Sequence, residues 1–483
     1  MPDLISNTAI DDAVAEALQL DLSFLSGPGH TRHVPFTFTP GPIATEEANL
    51  LKQVSPLLGR LTQALAGDAE LIQDLHAPLA LGDAFFAELL SIHRELHTSG
   101  TSLPRIPLLL QRSDFMLDAE LGPRLVECNS IAAGMAPFGE RVQQLHRYLQ
   151  GRWPELFRRF SQDATGHILP NLATENLSAA IDHAARQVRA EHGDDGAPAF
   201  LMVVQENEDN IFDQRLLERT LQRLGIRTFR RTFRQLHTQL ATGPNERLLL
   251  EDIGVIDVVY LRAGYQYQDY IATDLDTRRC CDALRATRIF IERHRVAVNA
   301  TVAQQLATSK RMQQYLAGAS ADHLAGLGFS SGEAKRIMPL LAEMREIDAE
   351  TSTWLRDGAE AGYWVLKNQG EGGGHCLFDE DIIRRLETLT EEEYPAWTLM
   401  RRLRPTGRDV PTLVVRDGKG QRIDGLVSEV GIFTAHLEEK PLLEAEMQPP
   451  GYVGYLVRSK PPDVAEGGVH SGFGMLDSLV ISG

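Results

Sequence analysis

The sequence contains little cysteine and no long apolar run. Its 483 residues include four cysteines, Cys128, Cys280, Cys281 and Cys376, and their spacing is not typical of a zinc site or a disulfide framework. We therefore expect reduced thiols and a cytoplasmic location. No apolar stretch approaches the ~20 residues that span a bilayer. The first residues also lack the basic and apolar regions of a secretory signal. We therefore expect neither a membrane protein nor a secreted one.

The sequence also lacks an excess of basic residues. It has 48 Lys and Arg against 66 Asp and Glu, so its formal net charge is -18. Because binding to a phosphate backbone needs a basic surface, we expect no nucleic-acid partner. The Walker pattern G-x-x-x-x-G-K-[ST] and the Rossmann pattern G-x-G-x-x-G are absent as well. Small molecules remain as partners, and basic residues concentrated at one site would attract a small anion.

What the sequence does contain is a mixture of helix-like and strand-like segments, enough for two to four domains. The N-terminal part has apolar residues at helical spacing, and its Gly- and Pro-rich residues 26–40 predict a loop. Residues 199–300 alternate between strand and helix patterns, which predicts a small parallel α/β unit with ligands at the carboxyl ends of its strands. Further strands, antiparallel ones, are predicted from "AWTLMRRLRP", "TLVVRD", "LVSEVGIF" and "GYVGYLVRSK". The predicted fold class is mixed α/β.

A glycine-rich segment follows a predicted strand in "VLKNQGEGGGHCLF". Three consecutive glycines, Gly372 to Gly374, follow Lys367 and Glu371. Glycines without a Cβ atom let backbone N–H groups approach phosphate oxygens closely, and a lysine adds a cation for the same phosphates. Taken alone, the segment is either a phosphate clamp or a tight mobile turn.

Two acidic or amide side chains lie two residues apart in "ECN". In a strand, Glu127 and Asn129 would share one face. Together with Glu371 they would offer three side-chain oxygens, the ligand type that Mg²⁺ prefers. The spacing alone fits a polar strand end better.

Three cations are also candidates for binding an anion. Arg458 and Lys460 would share a strand face, and Lys310 begins a predicted helix. Any one of them taken alone fits a solvated surface charge better.

Ten short patches occur in order along nearly the whole chain. They are "VPFTFTP", "RSDFM", "ECNSI", "NIFDQR", "RRTF", "VVYLRAGY", "KRMQQ", "LKNQGEGGG", "SEVGIF" and "RSK…EGGV". In this order they resemble the eukaryotic-type glutathione synthetases of the ATP-grasp ligases. The resemblance implies an ATP-grasp fold and ATP as co-substrate, with Mg²⁺ at about two ions per site. It also implies a homodimer.

The reaction implied by the resemblance joins γ-glutamylcysteine to glycine. ATP phosphorylates a carboxylate of the dipeptide, and the glycine amine attacks the resulting acyl phosphate to give glutathione. The resemblance further divides the chain into three parts. Residues 1–198 and 301–483 would form the ATP-grasp body, with a lid at about 335–410 and a substrate loop at 466–474, and residues 199–300 would form a substrate-binding domain.

The resemblance also assigns roles to matched residues. The metal ligands would be Glu127, Asn129 and Glu371. The catalytic residues would be Arg458, Lys367 and Gly372. The ATP contacts would be Lys310, Lys367, Glu371, Gly372, Gly373, Gly374, Met400, Arg401, Leu403, Glu429, Lys460 and Glu466. The substrate contacts would be Arg112, Ile131, Ala132, Ala133, Gly134, Glu208, Asn210, Gln214, Arg262, Gly264, Tyr265, Arg458, Val469 and His470.

Several departures from the family pattern concern the substrates. Ala132 and Gly134 stand where the family usually has serines, which removes two hydroxyl hydrogen bonds worth roughly 0.5–1.5 kcal/mol each. Asp209 replaces a residue that is basic in the animal enzymes, and His470 and Ser471 stand where small alanines are usual. The alternative is therefore a related ATP-grasp carboxylate–amine ligase with another acceptor amine or donor peptide.

Overall fold

A computed structural model describes residues 7–27, 29–98, 102–163, 166–277, 280–357, 360–370, 376–444, 448–465, 467–470 and 472–482. These residues form a mixed α/β protein, which confirms the predicted fold class. Among the helices of these ranges, none has both the length and the apolar composition that crossing a membrane requires. The α-helices are Asn7–Gln19, Thr45–Gly67, Ala69–His76, Leu79–Gly82, Ala84–His97, Ala136–Arg152, Pro154–Phe160, Ala173–Ala190, Ile211–Arg223, Phe233–Leu236, Asp282–Glu292, Val302–Ala307, Lys310–Ala317, Ala321–Gly326, Ser331–Ile337, Ala349–Asp357 and Glu380–Leu386.

One large sheet joins 13 strands of the described residues. Two of these strands lie outside the main edge-to-edge order. One is Gly122–Asn129, which pairs with Ile106–Asp118, and the other is Lys440–Pro441, which pairs with Val427–Leu437. From edge to edge the other strands are Lys419–Ile423, Thr412–Arg416, Phe36–Thr37, Met475–Asp477, Tyr452–Lys460, Val427–Leu437, Ile106–Asp118, Ala297–Asn299, Val258–Leu261, Ala199–Val203 and Arg227–Arg231.

The strand Ile106–Asp118, here called the junction strand, joins two differently paired halves of this sheet. Its first residues pair in parallel with Ala297–Asn299. Residues 108–116 instead pair antiparallel with Val427–Leu437. The parallel strands predicted within 199–300 follow on the first side, so they continue the large sheet instead of forming one of their own.

Alternation along the junction strand decides which side chains enter which core. Leu108 and Leu110 belong to the core that includes residues of helices Ala136–Arg152 and Ala173–Ala190. Phe115 belongs to the core on the other face, which helix Thr45–Gly67 covers. Because successive side chains alternate, Arg112 and Asp114 follow Leu108 and Leu110 on the same face. That face is therefore apolar at one end of the strand and charged further along.

A separate four-stranded antiparallel sheet lies in the segment predicted as a lid. Its strands are, in order, Met344–Glu346, Trp397–Arg401, Trp364–Asn368 and Cys376–Phe378. Trp364, Leu366 and Leu399 form its core together with residues of the two neighbouring helices. The remaining small sheets consist of Ser23–Gly27 with His30–His33, of Leu240–Thr242 with Leu248–Leu250 and Gly254–Val255, and of Gly41–Ala44 with Leu479–Ser482 and His167–Ile168.

The loop predicted over residues 26–40 is wrong. Ser23–Gly27 and His30–His33 form an antiparallel hairpin, and Phe36–Thr37 joins the large sheet. The content of glycine and proline obscured an alternation of apolar residues at Val34, Phe36 and Phe38, which are all fully buried. Burial of these side chains outweighs the local preference for a turn.

The other strand and helix predictions that concern the site are confirmed. The strand and helix alternation predicted over 199–300 includes the helix Ile211–Arg223, and Lys310 is the first residue of Lys310–Ala317. The C-terminal strands are Thr412–Arg416, Val427–Leu437 and Tyr452–Lys460, and their pairing is antiparallel where predicted.

Several histidines of the described residues are buried in the neutral form, among them His76, His93 and His436. His76 Nδ1 donates to the Ile72 carbonyl oxygen at 2.8 Å, and its Nε2 accepts from the Ser309 hydroxyl at 2.8 Å. Burial lowers the pKa of His76 to about 4. It also lowers the pKa of His436 to about 4 and that of His93 to about 3.

We expect the free energy of unfolding to fall as the pH drops from about 6.5 towards about 4. In this window the unfolded histidines bind protons that the folded ones do not, so each costs ~1.4 kcal/mol per pH unit. Urea unfolding followed by circular dichroism over this range checks the expectation. A His76→Asn variant should be less stable but should show a shallower pH dependence. An equal slope in both proteins would contradict the assignment.

Candidate active site

Four strands of the large sheet bring acidic, amide and cationic side chains onto one face. Arg112 and Asp114 of the junction strand lie opposite Asn129 and Glu127 of Gly122–Asn129. On the other side of the junction strand, Glu429 lies opposite Arg458 of the next strand. The predicted shared face of Glu127 and Asn129 is confirmed, since the Asn129 amide nitrogen lies 3.4 Å from Glu127 Oε1.

Asp114 is at the centre of this group. Arg112 donates to it through two atoms, Nε to Oδ1 at 2.6 Å and Nη2 to Oδ2 at 2.7 Å. Asn129 Nδ2 and Arg458 Nη2 each donate to Oδ2 at 3.1 Å. Arg458 also donates to Glu429 Oε1. The Asp114 carboxylate is completely buried, and paired cations offset the cost of burying its charge.

A β-bulge next to this group positions a lysine. The register of the two strands shifts between the pairs 114–127 and 115–125, so Val126 is the extra residue. Bulges leave a residue outside the ladder and are common beside active sites. The Val126 carbonyl accepts from Gln313 Nε2 at 3.1 Å and from Lys367 Nζ at 3.5 Å. The bulge therefore links the strand of Glu127 to the strand Trp364–Asn368 of the separate four-stranded sheet.

Lys310 connects the Glu127 carboxylate to the start of the glycine-rich segment. Its helix begins here because the Ser309 hydroxyl caps the Met312 amide at 3.0 Å. Lys310 Nζ lies 4.0 Å from Glu127 Oε2 and donates to the Gly370 carbonyl at 2.8 Å. Lys310 therefore lies at Glu127, and Lys367 of another element contacts the neighbouring Val126 carbonyl.

The positive charges keep Glu127 ionised. Burial alone would raise the pKa of this carboxyl group, but Lys310, Lys367 and Arg458 lower it to about 2. The pKa of Glu429 is raised instead, because burial and the charges of Asp114 and Glu127 outweigh the effect of Arg458. Glu127 is therefore a charged oxygen donor at neutral pH, which fits a hard divalent cation. Asn129 adds an amide oxygen, and Glu371 lies outside the described residues.

A second polar group lies beside the first, around Arg262. Arg262 Nη1 donates to Asp213 Oδ2 at 3.1 Å, and the Met135 amide donates to the same oxygen at 3.0 Å. A Cβ atom on Gly134 would lie 2.5 Å from Arg262 Nη2, so the guanidinium packs directly on this glycine. The Gly134 carbonyl accepts from Arg112 Nη1 at 3.3 Å, which links the two groups.

The remaining predicted substrate residues divide into neighbouring sets. Glu208 accepts from Gln214 Nε2 at 2.6 Å and from the Asn210 amide at 3.3 Å. Tyr265 accepts from Gln205 Nε2 at 3.2 Å, and Gly264 donates its amide to Asp269 at 2.7 Å.

The backbone next to Gly134 is held by two hydrogen bonds. Ala132 N donates to the Leu261 carbonyl at 3.1 Å, and the Tyr260 hydroxyl donates to the Ala133 carbonyl at 3.4 Å. Ile131 is buried in the core that also contains residues of the strands Ala199–Val203 and Val258–Leu261.

The segment predicted as a substrate loop contacts the N-terminal hairpin. His470 stacks on Phe24 with ring centroids 4.4 Å apart, and its Nδ1 lies 3.3 Å from Asp209 Oδ1. The hydrogen bond from His470 lowers the pKa of Asp209. Val469 is buried in the adjacent core. The predicted residues Glu466 and Ser471 lie outside the described residues.

The predicted nucleotide residues lie on the separate four-stranded sheet and at the end of a large-sheet strand. Met400 and Arg401 belong to Trp397–Arg401, and Leu403 follows it. The Arg401 guanidinium lies 5.1 Å above the Tyr363 ring, and its amide donates to the Glu343 carbonyl at 2.8 Å. Lys460 Nζ donates to the Ala465 carbonyl at 2.5 Å. Gly372, Gly373 and Gly374 lie outside the described residues.

A family model described as eukaryotic glutathione synthase, ATP-binding domain, matches residues 3–481. The chain belongs to this family. Glutathione synthetases of Bos taurus and Homo sapiens are 27% and 28% identical to this chain, over 98% of it and 96% of each relative. That of Dictyostelium discoideum is 28% identical over 93% of this chain and 91% of the relative.

Membership in the eukaryotic glutathione synthase family confirms the predicted enzyme class, an ATP-dependent ligase that forms a peptide bond. A solved structure of a glutathione synthetase-like effector from Globodera pallida, in its apo form, matches with a TM-score of 0.72 at 18% identity. The match covers 100% of this chain and 98% of that one. At this identity the match supports the shared fold.

Sequence reasoning missed two carboxylates in this glutathione synthase family member. Asp114 binds three of the predicted residues, and Asp213 holds Arg262. The position of Asp114 gave a usable signal, because it lies two residues after Arg112 on a predicted strand and so shares its face. No local signal marks Asp213, which sits among helix residues that pack inward.

Two glycines of this region should respond differently to a methyl group. Gly134→Ala would press on the end of the flexible Arg262 side chain, which can shift. Gly139→Ala would press on the backbone carbonyl of Tyr455, which cannot. We expect the Gly139 variant to lose about 1–3 kcal/mol of unfolding free energy and the Gly134 variant less. Urea unfolding of both variants tests this expectation, and equal losses would mean that Arg262 is held rigidly.

Proposed function

We propose that this protein is a glutathione synthetase that joins γ-glutamylcysteine to glycine with ATP and Mg²⁺. The observation that carries the proposal is the charged face of the large sheet, where two arginines and two lysines surround Glu127 and Asp114. Arginine forks suit carboxylates, and lysines suit phosphates as compact charges. Such a site can bring together a peptide carboxylate and a nucleotide phosphate. The family and its relatives support this choice of substrates.

The proposed reaction has two steps. The γ-phosphoryl group of ATP passes to a carboxylate oxygen of γ-glutamylcysteine, which forms an acyl phosphate and releases ADP. The glycine amine then attacks the acyl carbon, phosphate leaves, the amine loses a proton, and the peptide bond of glutathione forms. No protein nucleophile is needed, so the residues act by positioning and by stabilising charge. The loops over the site would exclude water, which would otherwise hydrolyse the acyl phosphate.

Mg²⁺ would be held by Glu127, Asn129 and Glu371. Glu127 and Asn129 offer the hard oxygen ligands that this ion prefers, and the lowered pKa of Glu127 keeps it charged. When bound, the ion neutralises charge on the nucleotide phosphates.

The other residues would divide between the two substrates. Lys310, Lys367 and the backbone at Gly372 would contact the phosphates, and Met400 and Leu403 the adenine. Arg112 and Arg458 would face the reacting carboxylate. The rest of the donor would be held by Glu208, Asn210, Gln214, Arg262 and Tyr265. The division into residues 1–198, 199–300 and 301–483, the lid at about 335–410, a homodimer and a cytoplasmic location belong to the same proposal.

The first experiment is an ADP-release assay with Mg·ATP and γ-glutamylcysteine against a panel of amines. We expect ADP release to require both the dipeptide and glycine, because the acyl phosphate forms on one and is consumed by the other. Omission of each substrate in turn is the control. ADP release without either substrate would contradict the proposal.

A ligase with another acceptor or donor is the second candidate. It is favoured by the contact of Arg262 with Gly134 and by the pairing of His470 with Asp209 in the substrate loop. If β-alanine, serine or another amine exceeds glycine in the same panel, or if γ-glutamylcysteine is not accepted, this second function is the correct one.

The two lysines at Glu127 should determine nucleotide affinity. Loss of a hydrogen bond to a charged group costs about 1.5–3 kcal/mol, so we expect Lys310→Met and Lys367→Met each to weaken binding of a non-hydrolysable ATP analogue about tenfold or more. Isothermal titration calorimetry measures this affinity. Lys52→Met is the matched control, since Lys52 is half-buried over the Tyr452 ring, away from the site. An equal loss in all three variants would contradict the assignment.

A further inference from the structure

Asp114 has no assigned role, yet it is the most connected group of the charged face. Its carboxylate accepts from Arg112, Asn129 and Arg458, residues assigned to substrate or metal. Because the side chain is completely buried behind these partners, it is not itself a contact for substrate. Asp114 can therefore affect ligand binding only through the positions of these three partners.

The contact with Asn129 decides which way that amide faces. The two neighbours of Asn129 Nδ2 are Asp114 Oδ2 at 3.1 Å and Glu127 Oε1 at 3.4 Å. Both are carboxylate oxygens, which accept hydrogen bonds, so the donating nitrogen must face them. The amide oxygen, which is the only atom of this side chain that can bind a hard cation, is thereby turned away from Asp114 Oδ2.

The contact with Arg112 decides how that guanidinium is oriented. Nε and Nη2 are both used on the two oxygens of Asp114, a bidentate geometry that fixes the plane of the group. Nη1 then points to the Gly134 carbonyl at 3.3 Å, beside Arg262. Arg458 shares its Nη2 between Asp114 and Glu429, so the same carboxylate also holds the second arginine.

The neighbouring strand leaves space for this arrangement. Gly431 lies directly opposite Asp114 in Val427–Leu437. A Cβ atom there would lie 2.6 Å from Asp114 Oδ1 and 2.8 Å from Arg112 Cδ, closer than atoms can pack. A side chain at this position would force the carboxylate or the guanidinium to move.

We propose that Asp114 is a positioning residue of the ligase, that it presents the Asn129 oxygen to the metal and Arg112 and Arg458 to the dipeptide, and that Gly431 provides the space it needs. The inference rests on the proposed function for the identity of the dipeptide. It rests on the proposed function as well for the role of Asn129 as a metal ligand. A purely structural role would predict loss of stability alone.

The test compares two isosteric substitutions of buried carboxylates. Asp114→Asn removes the charge and replaces one accepting oxygen with an NH2 group. That NH2 group cannot accept a hydrogen bond from Asn129 Nδ2. Asp257→Asn is the matched control, because Asp257 is also completely buried and also accepts from two arginines, Arg189 at 2.9 Å and Arg247 at 3.0 Å, outside the site. Three quantities are measured: the melting temperature, Mn²⁺ affinity by electron paramagnetic resonance with a saturating non-hydrolysable ATP analogue, and γ-glutamylcysteine affinity by calorimetry.

Loss of an orienting partner commonly weakens metal binding about 10–100-fold. We expect Asp114→Asn to weaken binding of Mn²⁺ and of the dipeptide within that range, whereas Asp257→Asn lowers the melting temperature and leaves both affinities unchanged. Unchanged affinities in folded Asp114→Asn, or equal changes in both variants, would overturn the inference.

A second pair of variants tests the same idea without changing any charge. Gly431→Ala should weaken both affinities by crowding Asp114. Gly454→Ala, on an adjacent strand, crowds Ala173 and Asn171 at 2.6 Å and should affect stability only. If Asp114→Asn fails to fold, this pair decides the question, and equal behaviour of the two alanine variants would overturn the inference.

Failure of the proposed function is distinguishable from failure of this inference. A wild-type protein that binds Mn²⁺ with the nucleotide analogue but releases no ADP with γ-glutamylcysteine and glycine would refute the proposed function. The Mn²⁺ comparison would then still decide the role of Asp114. A wild-type protein that binds no Mn²⁺ under these conditions would overturn the inference itself.

Discussion

A carboxylate buried in the middle of a sheet is the constraint on which this site depends. Asp114 has no access to water, and its charge is stable there only because Arg112, Asn129 and Arg458 donate to it. These partners come from three different strands. Satisfying one buried charge therefore fixes the relative positions of side chains that are far apart in sequence.

The junction strand makes this arrangement possible because its pairing changes along its length. Its first residues continue a parallel sheet, and its later residues lie between two antiparallel neighbours. On one face it is apolar where helices cover it, and charged beyond them. The same strand thus belongs to a core and to the candidate site, so the site is built on a rigid part of the protein.

An acidic protein can still bind anions if its cations are concentrated. The net charge is -18, but Lys310, Lys367, Arg458 and Arg112 act together on Glu127 and lower its pKa to about 2. The cations in turn are held by carboxylates that are themselves buried. The surface charge favours solubility, whereas the local charge of the site determines what can bind.

Local patterns along the sequence were enough to predict most of the elements near the site and the faces of their strands. Period-two alternation predicted that Glu127 and Asn129 share a face, and helical periodicity predicted that Lys310 begins a helix. Ten ordered patches were sufficient to predict the family. All of these signals are local or depend on order along the chain, so they can be recognised in the sequence without a structure.

The contacts that these residues make could not be predicted from the sequence. The pairing of Asp114 with Gly431, the bulge at Val126 and the packing of Arg262 on Gly134 depend on the register between distant strands and on the path of loops. Register is set by burial of whole faces and not by any residue pair. For the same reason the hairpin at Ser23–Gly27 and His30–His33 was mistaken for a loop, since burial decided its structure and local preference did not.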